Sequence, residues 1–336
     1  MRQSPLRQFA SRVRRPKRRE ALAVLCALLC LAGWDPGWKG TREQLQALVV
    51  VDVSQSMNAA DLHVGYDPTP VSRLARSRAL LQQALRRLPC GSRIGLGVFS
   101  EYRSLVLLTP VEVCEHYGEL RSILAALNSH MAWNGDSEVA KGLYGALATA
   151  RSLPGRPTVV FLTDGHETPP VDPRHRPKPS LEPGEVAGLI VGVGGRELVP
   201  IPQHDRQGRL LGTWGAADVR QQVRRVVNPN DPGRADEGVQ PSMPEATPGR
   251  EHLSSLREGY LQDLAAQTGL AYHRLSDADA LLTALRDDRL AQPVPTRISL
   301  RQPAMLLALL LWLAIGSNAL PQLRWRRPER RFGGEP

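Results

Sequence analysis

The chain has 336 residues, 42% hydrophobic and 23% charged, which suits one large globular domain or two modest ones and excludes general disorder and collagen-like repeats. Its formal charge of +10 sits at the ends: residues 1–19 hold eight Lys or Arg and no acid, residues 321–336 hold five Arg and two Glu, and the body between them sums to −1. A near-neutral body with basic ends does not fit a nucleic-acid binder.

The basic residues 1–20 lead into an uncharged run, ALAVLCALLCLAGW. Its 13 apolar residues before Trp34 rise about 20 Å as a helix, against a hydrocarbon core of ~30 Å. The segment 21–38 therefore reads as a signal anchor or as a cleaved signal peptide. Cys26 and Cys30 inside it are small hydrophobes, without the small preceding residue of a lipoprotein site.

Along the body the periodicity alternates as in an α/β fold. Residues 47–53 (ALVVVDV) form an apolar run suited to a parallel strand buried on both faces. A helix is expected over 74–88, ending at Pro89, and strands over 93–100 and 104–108, close enough to pair antiparallel. Helices follow at 119–127 and 139–150, and buried strands at 157–163 and 187–193, parted by a Pro-rich loop at 169–184. The pattern lapses over 196–254, a long insertion. It resumes with a helix at 260–268, a strand at 270–275 and a helix at 278–287. The whole reads as one doubly wound, mostly parallel sheet over residues 44–288.

Residues 302–323 are again free of charge, centred on AMLLALLLWLAIG, directly before RWRRPERR. A transmembrane helix is expected over 303–320, followed by a basic tail at 321–336. The positive-inside rule puts both basic ends in the cytoplasm, so the body belongs in the periplasm, tethered to the inner membrane. Cys90 and Cys114 lie in that exported body, where a disulfide would persist and stabilise by about 3.5 kcal/mol through loop closure.

Open α/β sheets place their ligands at the C-terminal ends of the strands. The first strand runs into Asp52, Ser54 and Ser56, a D-x-S-x-S sequence, and a later one into Asp164 in FLTDG. Ser137 in the loop before the helix at 139 offers a further hydroxyl. One carboxylate and two hydroxyls from one turn, with oxygens from two other loops, suit Mg²⁺ or Ca²⁺, with Mn²⁺ next. Asp136, His166 and Glu167 stand beside these positions as additional ligands or rim residues. Trp133 and Trp214 fall in loops, where each anchors a partner or packs its own loop.

This constellation resembles the metal-ion-dependent adhesion site of the von Willebrand factor type A domain. The resemblance implies that Asp52, Ser54 and Ser56 are ligands of the first loop, that Ser137 takes the place of a Thr in the second, and that Asp164 is the later carboxylate, often acting through water. Asp136 stands where that family commonly has Gly. A narrower resemblance is carried by LPCGSRIGLGVF, PVEVC, MAWNGDS, VFLTDGHETPP and GLIVGVGG. These runs look like membrane-anchored A-domain proteins that work beside MoxR-type AAA+ ATPases, and within them like the MxaL-type proteins encoded with methanol dehydrogenase. That resemblance implies a non-enzymatic maturation factor, with methanol dehydrogenase or its apo form and sister A-domain proteins as partners, acting in Ca²⁺ insertion. The alternative is a Bat-type envelope-stress or general interaction scaffold.

Overall fold

Residues 47–51 (ALVVV) alternate their side chains across a strand, and both sets are apolar, so both faces demand a cover. The computed structural model describes residues 18–34, 37–64, 67–170, 177–205, 207–219 and 251–319. In it this strand is β1 (Gly37–Asp52), preceded by helix α1 (Arg18–Trp34). A 3-10 turn (Gln55–Asn58), a hairpin of β2 (Ala60–Val64) and β3 (Asp67–Ser72), and helix α2 (Arg73–Leu85) follow. Next come β4 (Arg93–Ser100), β5 (Arg103–Glu112), α3 (Tyr117–Ala126), α4 (Val139–Ser152), β6 (Thr158–Thr163) and β7 (Gly188–Gly192). The insertion contributes β8 (Val199–Pro200), β9 (Pro202–His204), β10 (Leu210–Thr213), the short α5 (Ala216–Val219) and β11 (Leu253–Ser254). The chain ends with α6 (Glu258–Thr268), β12 (Ala271–Arg274), α7 (Ala278–Leu285), β13 (Ala291–Ser299) and α8 (Arg301–Ala319).

The central sheet has the order β12-β7-β6-β1-β4-β5, with β13 also pairing with β1. Pairs β12/β7, β7/β6, β6/β1 and β1/β4 are parallel, and β5 closes the edge antiparallel to β4. The fold is thus α/β with a mostly parallel sheet. From β1, Ala47, Val49 and Val51 pack with Leu74, Leu80, Leu81, Leu120 and Leu281 of α2, α3 and α7. Leu48 and Val50 face the other way, toward Leu143, Leu147, Leu261 and Leu264 of α4 and α6. Burying both rows is what makes this strand central.

Two compact units are present, residues 43–294 and the ends 1–42 with 295–336. In the second, α1 and α8 lie against each other. Their buried residues are alanines, Ala21, Ala32, Ala304 and Ala308, whereas Val24, Leu29, Leu306, Leu310 and Trp312 are at least half exposed. Among the described residues no helix is long and apolar enough to cross a membrane, and the span expected at 303–320 runs past Ala319, where the described residues end. The helix opens on Arg301, Gln302 and Pro303 and reaches Gly316, Ser317 and Asn318. The apolar stretch between them therefore rises only roughly 18 Å. The basic tails at 1–17 and 320–336 and the centre of the insertion, 220–250, lie outside the described residues.

Cys90, after α2, and Cys114, after β5, are joined by a disulfide with their Cα atoms 5.3 Å apart. Glu112 accepts hydrogen bonds from the backbone N–H groups of Gly91 and Glu115 beside it. Cys90, Glu112 and Cys114 form a cluster of metal-ligand residue types, but both sulfurs are spent on each other.

Candidate cation site

β1 ends at Asp52, and the chain turns at once into the 3-10 turn. Ser54 occupies the N-cap position of that turn without a side-chain capping bond, so its hydroxyl is not consumed by the backbone. It faces the Ser56 hydroxyl instead, 3.2 Å away. Asp52 accepts from the Ser54 N–H at 2.8 Å and from the Thr163 hydroxyl, at the end of β6, at 2.7 Å. The second loop is fastened to the third by backbone bonds in both directions, Ser137 N–H to the Thr168 carbonyl at 2.7 Å and Thr168 N–H to the Ser137 carbonyl at 2.8 Å. This bridge brings Ser137 to the loop that carries Asp164 and His166.

Asp52, Ser54, Ser56, Ser137, Asp164 and His166 are all at most 4% exposed. Ser54, Ser56, Ser137 and His166 line one cavity of about 60 Å³, against the ~10–15 Å³ needed for a single water on such a measure. Its other wall belongs to the insertion, through Ile201, Trp214, Asp218 and Glu251. Ser137 Oγ and Trp214 Nε1 are buried without a hydrogen-bond partner, and the His166 ring, faced by the Glu251 backbone, makes no well-formed hydrogen bond.

Sequence reasoning missed the centre of the electrostatics, Arg73. It is fully buried, and its Nη2 donates to Asp61 Oδ2 at 2.6 Å and its Nη1 to Asp164 Oδ2 at 2.5 Å. Nη1 also donates to Ser254 Oγ, at the far end of the insertion, at 2.7 Å. Gly194 lies so close that a Cβ there would stand 2.7 Å from Arg73 Nε, and its φ is +132°. Close approach is thus what the VGVGG run provides. The available signal was position: Arg73, Leu74, Ser77, Leu80, Leu81 and Ala84, all buried, share one helix face.

Asp164 accepts the His166 backbone N–H through Oδ1, at 2.9 Å. Although burial pushes its carboxyl up, the Arg73 guanidinium holds it below the ordinary range. Asp52 lacks such a partner, and burial, with the charge of Asp164, pushes it up to about 7. Ionised, Asp52, Asp61, Asp164 and Arg73 sum to −2 in a water-poor pocket, the charge that one divalent cation cancels. The donor set fits such an ion: Asp52, Ser54, Ser56 and Ser137 would hold it, with Asp164 adding charge or a water-mediated contact.

The other candidates take different places. Asp136 approaches Asn134 Nδ2 at 3.4 Å, and that amide donates to Glu101 at 2.7 Å. Trp133, 45% exposed, donates to the same Glu101. Glu167 turns to the start of α4, where it accepts the Ala140 N–H at 3.1 Å and the Tyr260 hydroxyl at 2.5 Å.

Burial raises the Glu167 carboxyl from 4.5 to about 7. A carboxyl raised on folding penalises its ionised form, fully above pH ~7 and not at all below ~4.5, so acidification across that window should stabilise the domain. The side chain is partly exposed, so the effect is set at about 1–2 kcal/mol. Glu167→Gln keeps the acceptor and should be about 1 kcal/mol more stable than wild type at pH 8, with a flatter stability profile from pH 7.5 to 5 in denaturant titrations. Superimposable profiles would remove Glu167 as the cause.

Residues 47–166 match the family model described as the von Willebrand factor type A domain, a stretch that starts in β1 and reaches through Asp164 to His166. The chain carries a von Willebrand factor type A domain. No curated protein sequence matches the chain. Among solved structures, this A-domain chain is similar to an aerotolerance-related membrane protein of Bacteroides fragilis, at 16% identity over 73% of this chain and 98% of that one, with a TM-score of 0.46. It is similar to BatB of Bacteroides thetaiotaomicron, at 16% identity over 73% and 96%, TM-score 0.45. A membrane spanning protein of Vibrio fischeri is 19% identical over 73% and 96%, TM-score 0.29.

Proposed function

We propose that this protein is a membrane-associated, non-enzymatic interaction factor. Its A domain holds a divalent cation, Mg²⁺ or Ca²⁺ with Mn²⁺ next, and offers the ion's open position to a carboxylate of a protein partner. The observation that carries this reading is the cavity at the strand ends, where the unpartnered Ser137 hydroxyl meets Ser54 and Ser56 beside Asp52, Asp61, Asp164 and Arg73, which sum to −2 once all are ionised. Trp214, whose Nε1 has no acceptor, lines the same cavity, and an indole N–H suits the second oxygen of an incoming carboxylate. The paired terminal helices, with alanines inside and Leu and Trp outside, suit a lipid environment, where small residues mediate helix contact. The positive-inside rule then orients the A domain to the periplasm.

The client proposed from the sequence runs quoted above is methanol dehydrogenase in its apo form, matured with help from sister A-domain proteins and a MoxR-type AAA+ ATPase, with Ca²⁺ insertion as the outcome. A Bat-type scaffold would use the same site with another client. In an Asp52→Ala strain the protein should remain folded and membrane-bound, while the dehydrogenase accumulates without Ca²⁺ and without activity. Normal Ca²⁺ occupancy of the dehydrogenase, with the variant shown to be metal-free, refutes the maturation role. Absence of dehydrogenase genes from the genome leaves the scaffold.

A further inference from the structure

The wall of the cavity that belongs to the third loop carries nitrogen. His166 is 4% exposed; the Glu251 backbone faces its ring, and neither Nδ1 nor Nε2 makes a well-formed hydrogen bond. A buried polar ring short of partners is costly, and native structures resolve such cases with a bound water or ion. The residue's backbone N–H is tied to Asp164 Oδ1, which fixes His166 at the loop, and its side chain lines the cavity with Ser54, Ser56 and Ser137.

The oxygens point the same way. Asp164, the second carboxylate expected at the ion, gives Oδ2 to Arg73 and Ser254 and Oδ1 to the His166 N–H. Asp52, whose oxygens accept only neutral donors, and three hydroxyls remain, whereas Ca²⁺ takes about 6–8 oxygens. Imidazole suits first-row transition ions, while all-oxygen sets suit Mg²⁺, Ca²⁺ and Mn²⁺.

We infer that His166 is a nitrogen ligand of the ion, and that the site favours a first-row transition metal ion such as Co²⁺ or Zn²⁺ over Ca²⁺. The inference rests on the cation-site reading and changes only the identity of its ion: the resident ion is the platform for a partner's carboxylate, distinct from any Ca²⁺ delivered to a client.

The full-length protein decides the matter with Mn²⁺ and Co²⁺ as probes. Bound Mn²⁺ should show a histidine nitrogen coupling in its electron spin-echo modulation, and Co²⁺ should bind at least about tenfold more tightly than Ca²⁺. His166→Gln and His166→Ala should abolish the coupling and weaken Co²⁺ at least about tenfold, the range reached even by residues behind a ligand, with Mg²⁺ much less affected. Mn²⁺ bound without nitrogen coupling in the wild type, or with coupling that persists in the variants, overturns the inference and leaves the cation site standing. Failure of the wild type to bind any of the four ions overturns both. The wild-type spectrum needs no variant, so a misfolded variant does not blunt the test.

Discussion

Arg73→Met is expected to destabilise the A domain by about 3–5 kcal/mol, the range for breaking a buried ion pair from one side. Methionine fits the volume but leaves Asp61 and Asp164 facing each other's charge with side-chain exposures of 6% and 0%, and it unties Ser254 from both Arg73 contacts. Arg87→Met, which breaks an ion pair with Asp279 between half-exposed and exposed side chains, should cost less than about 1 kcal/mol. Urea titrations of the full chain compare the two directly. A second consequence has the opposite sign: losing the guanidinium takes the buried group from −2 to −3 and frees Asp164 Oδ2, so a divalent cation should raise the melting temperature of the variant more than that of the wild type. Equal, small losses for Arg73 and Arg87 would mean that the buried pairs are not formed.

How far the sequence exposes this architecture depends on whether the relevant signal is local. The apolar run at the end of β1 reads as a buried strand because its neighbours on both faces are helices with their own periodicity. The same strand begins at Gly37, ten residues before that run, in GWKGTREQLQ, which has no such apolar pattern; β1 also pairs with β13, a distant partner that local sequence does not announce. The hairpin of β2 and β3 is hidden likewise, because its second strand contains Pro68 and Pro70. At the site, Asp52, Ser54, Ser56 and Asp164 are legible because a carboxylate directly after a buried strand has few structural uses. Ser137 is named from the sequence as well, while its fastening to the third loop shows only in the bridge to Thr168, and Arg73 needed contacts to Asp61 and Asp164, 12 and 91 positions away. Glu167 follows Asp164 closely in sequence, yet its side chain serves the first turn of α4, a role set by which helix packs over the loop.

Asp52→Asn should separate stability from cation binding, with changes of opposite sign. In the cation-free protein the Asp52 carboxyl is held at about 7 by burial and by Asp164, so at pH 8 the folded state carries a charge it would sooner lose. Asparagine keeps the shape, still accepts the Ser54 N–H, and can donate to the Thr163 hydroxyl that Asp52 now accepts from. Unfolding in chelator at pH 8 should therefore cost more for the variant, by on the order of 2 kcal/mol. The same change removes the negative donor on which the ion depends, leaving three neutral hydroxyls and a carboxylate already engaged by Arg73. Cation affinity should fall at least ~100-fold, since each such factor is worth about 2.7 kcal/mol of binding. The melting temperature of the wild type should rise with Mg²⁺ or Mn²⁺ while that of the variant stays flat, because stabilisation by a ligand follows its occupancy of the native state. If Asp52→Asn lowers the stability of the cation-free protein and still responds to the ion, Asp52 is a structural carboxylate serving Ser54 and Thr163, and the ion-binding centre must be sought elsewhere in the pocket.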